Sequence, residues 1–226
     1  MKRSPRVGIL GGTLDPIHQG HMEAALAARR ACALDLVRVV PSHVPPHRSM
    51  GPAASPYHRF AMAALAVNDI VGLLASDEEL QAPGPSYTAD TLERLHRSGL
   101  ERSQIFFITG ADAFAEIATW RRYPEVLDLA HFIVISRPGS PATALPGRLP
   151  HLAARMRRAD AGAASDQPSI FLLDAPTPDV SSTIIRERLR AGRSITGLVP
   201  AAVEHHILQH GLYGAGVTAD QLHGQN

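Results

Sequence analysis

Apolar residues fall in short runs, and between the runs they recur every three or four positions. The runs at 7–10 (VGIL), 36–41 (LVRVVP), 70–75 (IVGLLA), 105–110 (IFFITG), 131–136 (HFIVIS) and 169–175 (SIFLLDA) have the length of strands. Those at 105 and 131 are unbroken, as strands covered on both faces should be. The stretches between them read as helices. One starts near Gly20 and carries Met22, Ala25, Leu26 and Arg29 at helical spacing. A second spans 55–68, with Ser55 as N-cap and Pro56 at the first helical position. Others span 86–99, closed by Gly99, then 181–192, closed by Gly192, and 200–211.

Strand and helix in alternation predict a parallel sheet with helices on both faces. The expected architecture is a single, doubly wound, Rossmann-like α/β domain over residues 1–213. Residues 140–169, rich in Pro, Ala, Gly and Arg, break the rhythm and are expected to form a loop-rich insertion with one short helix. Residues 214–226 have little apolar content and are expected to fray. There is no internal repeat.

The bulk numbers remove several functions. A net charge of +1 over 226 residues gives no electrostatic case for nucleic acid or a membrane surface. No apolar stretch approaches a membrane span, and the four apolar residues after the basic N-terminus are too few for a signal peptide. The single cysteine, Cys32, lies in an alanine-rich helical run. It fits a reducing, cytoplasmic setting and reads as a small buried residue rather than a nucleophile. Homo-oligomerisation is left open.

In a doubly wound sheet, ligands sit beyond the carboxyl ends of the strands. The first such loop is GGTLDPIHQGH, residues 11–21. Gly11 and Gly12 allow close backbone approach, Thr13 follows them, and the helix start offers N–H groups and a positive dipole end. His18 and His21, three apart at that start, can reach one phosphate as donors without the permanent charge of lysine. The loop is neither a Walker A nor a dinucleotide fingerprint. Two histidines with no third ligand nearby make a poor zinc site. The plainer reading is a helix start with one capping and one partly buried histidine.

GGTLDPIHQGH resembles the G-x-F-D-P-x-H-x-G-H signature of the nucleotidylyltransferase superfamily, with Leu14 in place of the usual Phe. Further stretches resemble the bacterial nicotinate-nucleotide adenylyltransferases. They are PSHVPPHR (41–48), SYTADTL (86–92), the tryptophan segment with its strand (108–139), and VSSTIIRERLRAG with the closing VP…GLY (180–213). The resemblance covers residues 6–213, apart from 140–169. It implies adenylyl transfer from ATP to nicotinate mononucleotide, giving deamido-NAD and pyrophosphate. It implies Mg²⁺ carried by the ATP phosphates, with no metal ligand from side chains.

The resemblance also assigns residues. His18, His21 and Arg48 would act in catalysis, Arg48 standing where the family often has Lys. The β- and γ-phosphates would meet Ser181, Ser182 and Thr183 at a helix start, with Arg186 one turn on; ordinary N-capping by Ser181 is the plainer alternative. Gly110 would let the nucleotide approach, and Asp112 would bind ribose hydroxyls or else cap a helix over 113–118. Arg137 would contact adenine or phosphate, or form a structural ion pair. The mononucleotide would meet Asp15, His47, Tyr87, Thr88, Trp120 and Tyr123, with the pyridinium ring stacked on Trp120. His205, His206 and His210 fall outside any motif and read as surface residues. Two rivals stand: the same chemistry on nicotinamide mononucleotide or phosphopantetheine, and a nucleotide-binding sensor without catalysis.

Overall fold

The computed structural model describes residues 4–46, 51–159 and 167–216. His47 and Arg48 lie outside them, as do residues 217–226 of the expected tail. Seven strands form one sheet: β1 (Val7–Gly12), β2 (Leu36–Pro41), β3 (Leu73–Ala75), β4 (Ile105–Gly110), β5 (His131–Ile135), β6 (Met156–Arg158) and β7 (Ile170–Leu173). Their order is β3-β2-β1-β4-β5-β7-β6 and every pairing is parallel. The helices are α1 (Gln19–Ala31), α2 (Pro56–Val67), α3 (Thr88–Arg97), α4 (Ala111–Ala115), α5 (Leu145–Arg148), α6 (Ser182–Arg190) and α7 (Ala201–Gln209).

The alternation of side chains along each strand explains the two layers of core. Leu10, Val37, Val39, Phe106 and Ile108 point into one cluster, which α1, α2, α6 and α7 cover. Val7, Ile9, Ile105, Phe107 and Phe132 point into the other, beneath α3 and α4. Each fully buried aliphatic or aromatic side chain contributes roughly 1.5–3 kcal/mol. β5 is buried along its whole length. β1 and β4 are neighbours at the point where the strand order reverses, so their carboxyl ends open the crevice in which such folds bind ligands.

Three expectations need correction. Residues 140–169 do more than loop around the domain: after α5 and two 3-10 segments they supply β6, the edge strand paired with β7. Its sequence, Met-Arg-Arg, is too polar and short to announce a strand. β3 is shorter than the 70–75 run, because Gly72 takes φ +85° and leaves Val71 almost fully exposed. At the other end, Ala215 is buried in the first cluster, so the described start of the expected tail packs.

Cys32 is buried, and burial pushes its thiol up to about 11, in keeping with a packing residue. Among the described residues, no helix is long and apolar enough to cross a membrane.

Candidate active site

The loop between β1 and α1 is held from several directions. Leu14 takes φ +49°, a conformation that costs a large side chain about 1–2 kcal/mol. Its side chain is only 2% exposed, and that burial offsets the cost. Asp15 is buried. Its carboxylate accepts hydrogen bonds from the Ala53 and Ala54 N–H groups (2.8 and 3.1 Å) and from the Tyr213 hydroxyl (2.8 Å). Burial, and then the Asp15 charge, push the Tyr213 phenol far above its ordinary range, so it stays protonated as the donor. Asp15 was expected to bind the mononucleotide. Its oxygens are committed to the protein, and the residue is a brace for the loop.

His18 stands at the N-cap of α1, and His21 lies in the first turn. Their rings stack with centroids 3.7 Å apart. The His18 N–H donates to His21 Nδ1 (3.2 Å), which leaves the proton of a neutral His21 on Nε2. His18 is 2% exposed, and its Nδ1 has no partner. Burial, then the charge of Arg137, lower His18 to about 3. Burial, His18 and Arg137, in that order, hold His21 well below the ordinary range. Both imidazoles are therefore neutral at pH 7, and the bond to Nδ1 sets the donor nitrogen of His21. The cradle is narrower than a bare helix start, since the Gln19 N–H donates to the Leu198 carbonyl.

The start of α6 meets this loop. Ser182 Oγ donates to the Pro16 carbonyl (2.9 Å), and Arg186 donates to the Asp15 carbonyl (2.6 Å) and to Thr183 Oγ1 (3.2 Å). Ser181 caps the helix by accepting from the Ile184 N–H (3.2 Å). The capping alternative is thus present. What the sequence did not show is that Ser182 and Arg186 bolt the two helix starts together. Both positive dipole ends then face one region.

Arg137 makes no ion pair among the described residues, and its charge acts on both histidines. A Cβ added at Gly110 would lie 2.5 Å from Asp112 Oδ1 and 3.2 Å from Arg137 Nε. The Asp112 and Arg137 side chains thus stand close against Gly110. Asp112 is exposed in the first turn of α4, whose N-cap is Gly110, so the capping role over 113–118 is corrected. At Gly11 and Gly12 the situation reverses. An added Cβ meets no protein atom closer than 3.4 Å, and both glycines line the neighbouring cleft.

That cleft has a volume of about 520 Å³ and opens over the carboxyl ends of β1 and β4. Thr13, Tyr87, Thr88 and Trp120 line it together. Trp120 packs edge-on against Phe107, with centroids 6.0 Å apart, and stays half-exposed to the cleft. No side chain caps α3, whose first residue is Thr88, so its dipole end faces the cavity uncapped. Tyr123 does not line the cleft. Its N–H donates to the Trp120 carbonyl and its hydroxyl pairs with His151 (2.9 Å), which corrects its expected substrate contact.

Sequence reasoning passed over four residues here. Ser42 is buried at the cleft wall with an unpartnered hydroxyl. Glu79, also in the wall, accepts from Thr91 (2.6 Å). Ser86 accepts from the His43 N–H (2.8 Å) and ties the loop after β2 to the start of α3. Arg59 on α2 is fully buried and donates to the Thr13 (2.8 Å), Ser42, His43 (3.0 Å) and Ala54 (3.3 Å) carbonyls. One guanidinium thereby fixes the loops after both β1 and β2. The available signal was a lone charge in an otherwise apolar helix.

Residues 9–188 match the family model described as cytidylyltransferase-like. The chain is 41% identical to a probable nicotinate-nucleotide adenylyltransferase of Chromohalobacter salexigens, covering 93% of this chain and 97% of that one. It is also 41% identical to one so named in Desulfatibacillum aliphaticivorans, covering 92% and 99%. Among solved structures, it superposes on a Plasmodium falciparum nicotinic acid mononucleotide adenylyltransferase complexed with NaAD. The TM-score is 0.71 at 17% identity, over 95% of this chain and 100% of that one, a likeness of fold.

Proposed function

Because the chain belongs to the nicotinate-nucleotide adenylyltransferase family, we propose that it transfers the adenylyl group of ATP to nicotinate mononucleotide, yielding deamido-NAD and pyrophosphate. The observation that carries this reading is the pairing of two sites. A phosphate-facing end holds two neutral, stacked imidazoles, and a cleft beside it carries an indole wall and an uncapped helix start.

The reaction needs no protein nucleophile. An oxygen of the mononucleotide 5′-phosphate attacks the α-phosphorus of ATP. The bond from that phosphorus to the bridging oxygen breaks, and pyrophosphate departs with the electron pair. Catalysis then consists of positioning and of stabilising charge on the phosphoryl oxygens. His21 Nε2–H donates to them, and His18 and Arg137 add donors beside it. Thr183 and the α6 start would meet the pyrophosphate portion, with Arg186 holding Thr183 in place. Arg48 and His47 remain part of the proposal as contributors from the loop after β2. Asp112 is open to solvent at the α4 start and is proposed for the ribose hydroxyls.

The donor set at the phosphate end is imidazole, guanidinium, hydroxyl and N–H, and the nearby Asp15 carboxylate is already bonded within the protein. This suits Mg²⁺ held by phosphates and water, where it would shield the charge of the ATP tail.

In the cleft, the pyridinium ring stacks on Trp120, and the carboxylate faces the Thr88 end of α3. The dipole end there favours the acid over the uncharged amide. We place the enzyme in the cytosol, in line with its single buried thiol. Purified protein given ATP and either mononucleotide tests the reading. Stoichiometric deamido-NAD and pyrophosphate are expected with the acid form, and much lower turnover with the amide. Folded protein that binds ATP but releases no pyrophosphate with either would show a sensor instead.

A further inference from the structure

Among the described residues, the charged side chains lining the cleft are Glu79, Glu116 and Arg121, two anions and one cation. A further carboxylate, Asp90, lies in the first turn of α3. The two candidate acceptors differ in what such a wall does to them. Nicotinate mononucleotide carries a pyridinium cation and a carboxylate on one ring, and nicotinamide mononucleotide carries the cation alone. Carboxylates in the wall attract the cation of both and repel the carboxylate of the acid. The dipole end of α3 is equivalent to about half a positive charge, and the Asp90 carboxylate offsets it. Without Arg121, the balance of charge favours the amide.

Arg121 lies across that helix start. Its guanidinium carbon is 4.5 Å from the centroid of the Tyr87 ring, a cation–π contact, and its Nη1 is 3.4 Å from Asp90 Oδ2. Tyr87 is the N-cap of α3, so the cation stands over the first turn, beside Thr88. Among the described residues its N–H groups make no hydrogen bond, and the donors stay open. Arg122 is the contrast. It does not line the cleft, and it is spent on ion pairs with Glu93 and Glu125. Glu93 is one turn along α3 from Asp90, so the Arg122 pair fastens this segment to the helix and holds Arg121 over its start.

We propose that Arg121 is the specificity-determining residue for the acid form of the mononucleotide, its guanidinium donating to the pyridine carboxylate across the start of α3. This role rests on the proposed use of nicotinate mononucleotide as acceptor. An exposed ion pair with Asp90 contributes little to stability, so stability alone does not account for a cation at this place. The planar fork matches a carboxylate with two parallel hydrogen bonds, and the Tyr87 face presets its plane.

The test compares the full chain with its Arg121→Gln and Arg121→Lys variants. Each is titrated with both mononucleotides, with fluorescence of Trp120, the single tryptophan, as the binding signal. Each is then assayed with ATP for pyrophosphate release. In Arg121→Gln, Kd and KM for the acid should rise about 10- to 150-fold, the effect of losing a hydrogen bond to a charged group. The values for the amide should stay level or fall, because the remaining carboxylates face a cationic ring. Arg121→Lys keeps the charge without the fork and should recover part of the acid preference. Tm should stay within roughly 2 °C of the parent, as for other exposed substitutions. An acid-to-amide ratio unchanged in Arg121→Gln, or equal losses for both forms, overturns the proposal. A parent that binds the acid but releases no pyrophosphate sinks adenylyl transfer and leaves the Kd ratio to decide on Arg121. A parent that binds neither mononucleotide overturns both.

Discussion

The two halves of the candidate site are built differently. At the phosphate end, His18 Nδ1 is left without a partner while the groups around it are bonded within the protein. Asp15 is tied to Ala53, Ala54 and Tyr213, Ser182 to Pro16, Arg186 to the Asp15 carbonyl, and His21 to the His18 backbone. At the pyridine end the cleft keeps Trp120 half-exposed, the Ser42 hydroxyl without a partner and the α3 start uncapped. The first half is preorganised for charge that develops in a transition state. On the proposed reading, the second recognises a flat ring and an anion with few fixed donors. If the proposed assignment holds, reaction type resides in the rigid half and acceptor identity in the open half, and substitutions in each should separate kcat from KM.

The largest effect should come from His21→Ala. Loss of a fixed donor to the reacting phosphoryl group should lower kcat about 10²–10³-fold with KM for the mononucleotide little changed. Steady-state kinetics with intact folding would break the comparison if turnover stayed near that of the parent. Trp120→Ala should act on the other half. Stacking of a base-like ring is worth about 1–3 kcal/mol, so KM for the mononucleotide should rise roughly 5- to 150-fold while kcat falls far less. A collapse of kcat with unchanged KM would place Trp120 in the chemistry instead.

Tyr213→Phe removes a donor to a buried carboxylate, worth about 1.5–3 kcal/mol. Calorimetry should show Tm lowered by roughly 3–12 °C. An unchanged Tm would mean the brace on Asp15 is not needed. The smallest effect is an absence of titration. With His18 lowered to about 3 and His21 also depressed, neither ring should take up a proton in the folded protein between pH 8 and 5 when followed by NMR. The unfolded chain protonates these rings near 6.5. The stability that neutral His18 and His21 confer is therefore present above about pH 6.5 and declines as pH falls toward the depressed folded values. A titration midpoint near 6.5 in the native state would show that the rings are not desolvated as the geometry implies.

The strands at 105–110 and 131–136 were legible because burial on both faces leaves an unbroken apolar record. β6 was not: an edge strand of Met-Arg-Arg is stabilised by its ladder to β7, and pairing leaves no mark in composition. The same distinction holds in the site. His18, His21 and Trp120 could be found because motif and residue type coincide with position. Asp15, Ser182, Arg186 and Tyr123 have the residue types of ligands, yet their partners lie in distant or unremarked segments, and those partners decide their roles. Arg59 and Ser42 are the converse, residues important through contacts that no local pattern announces.

The bond from Tyr213 to Asp15 spans 198 positions. During synthesis the opening loop must therefore emerge, wait while the intervening sheet is made, and receive its last donor only after α7 has left the ribosome. A nascent chain arrested before that point would carry the signature motif without its finished shape.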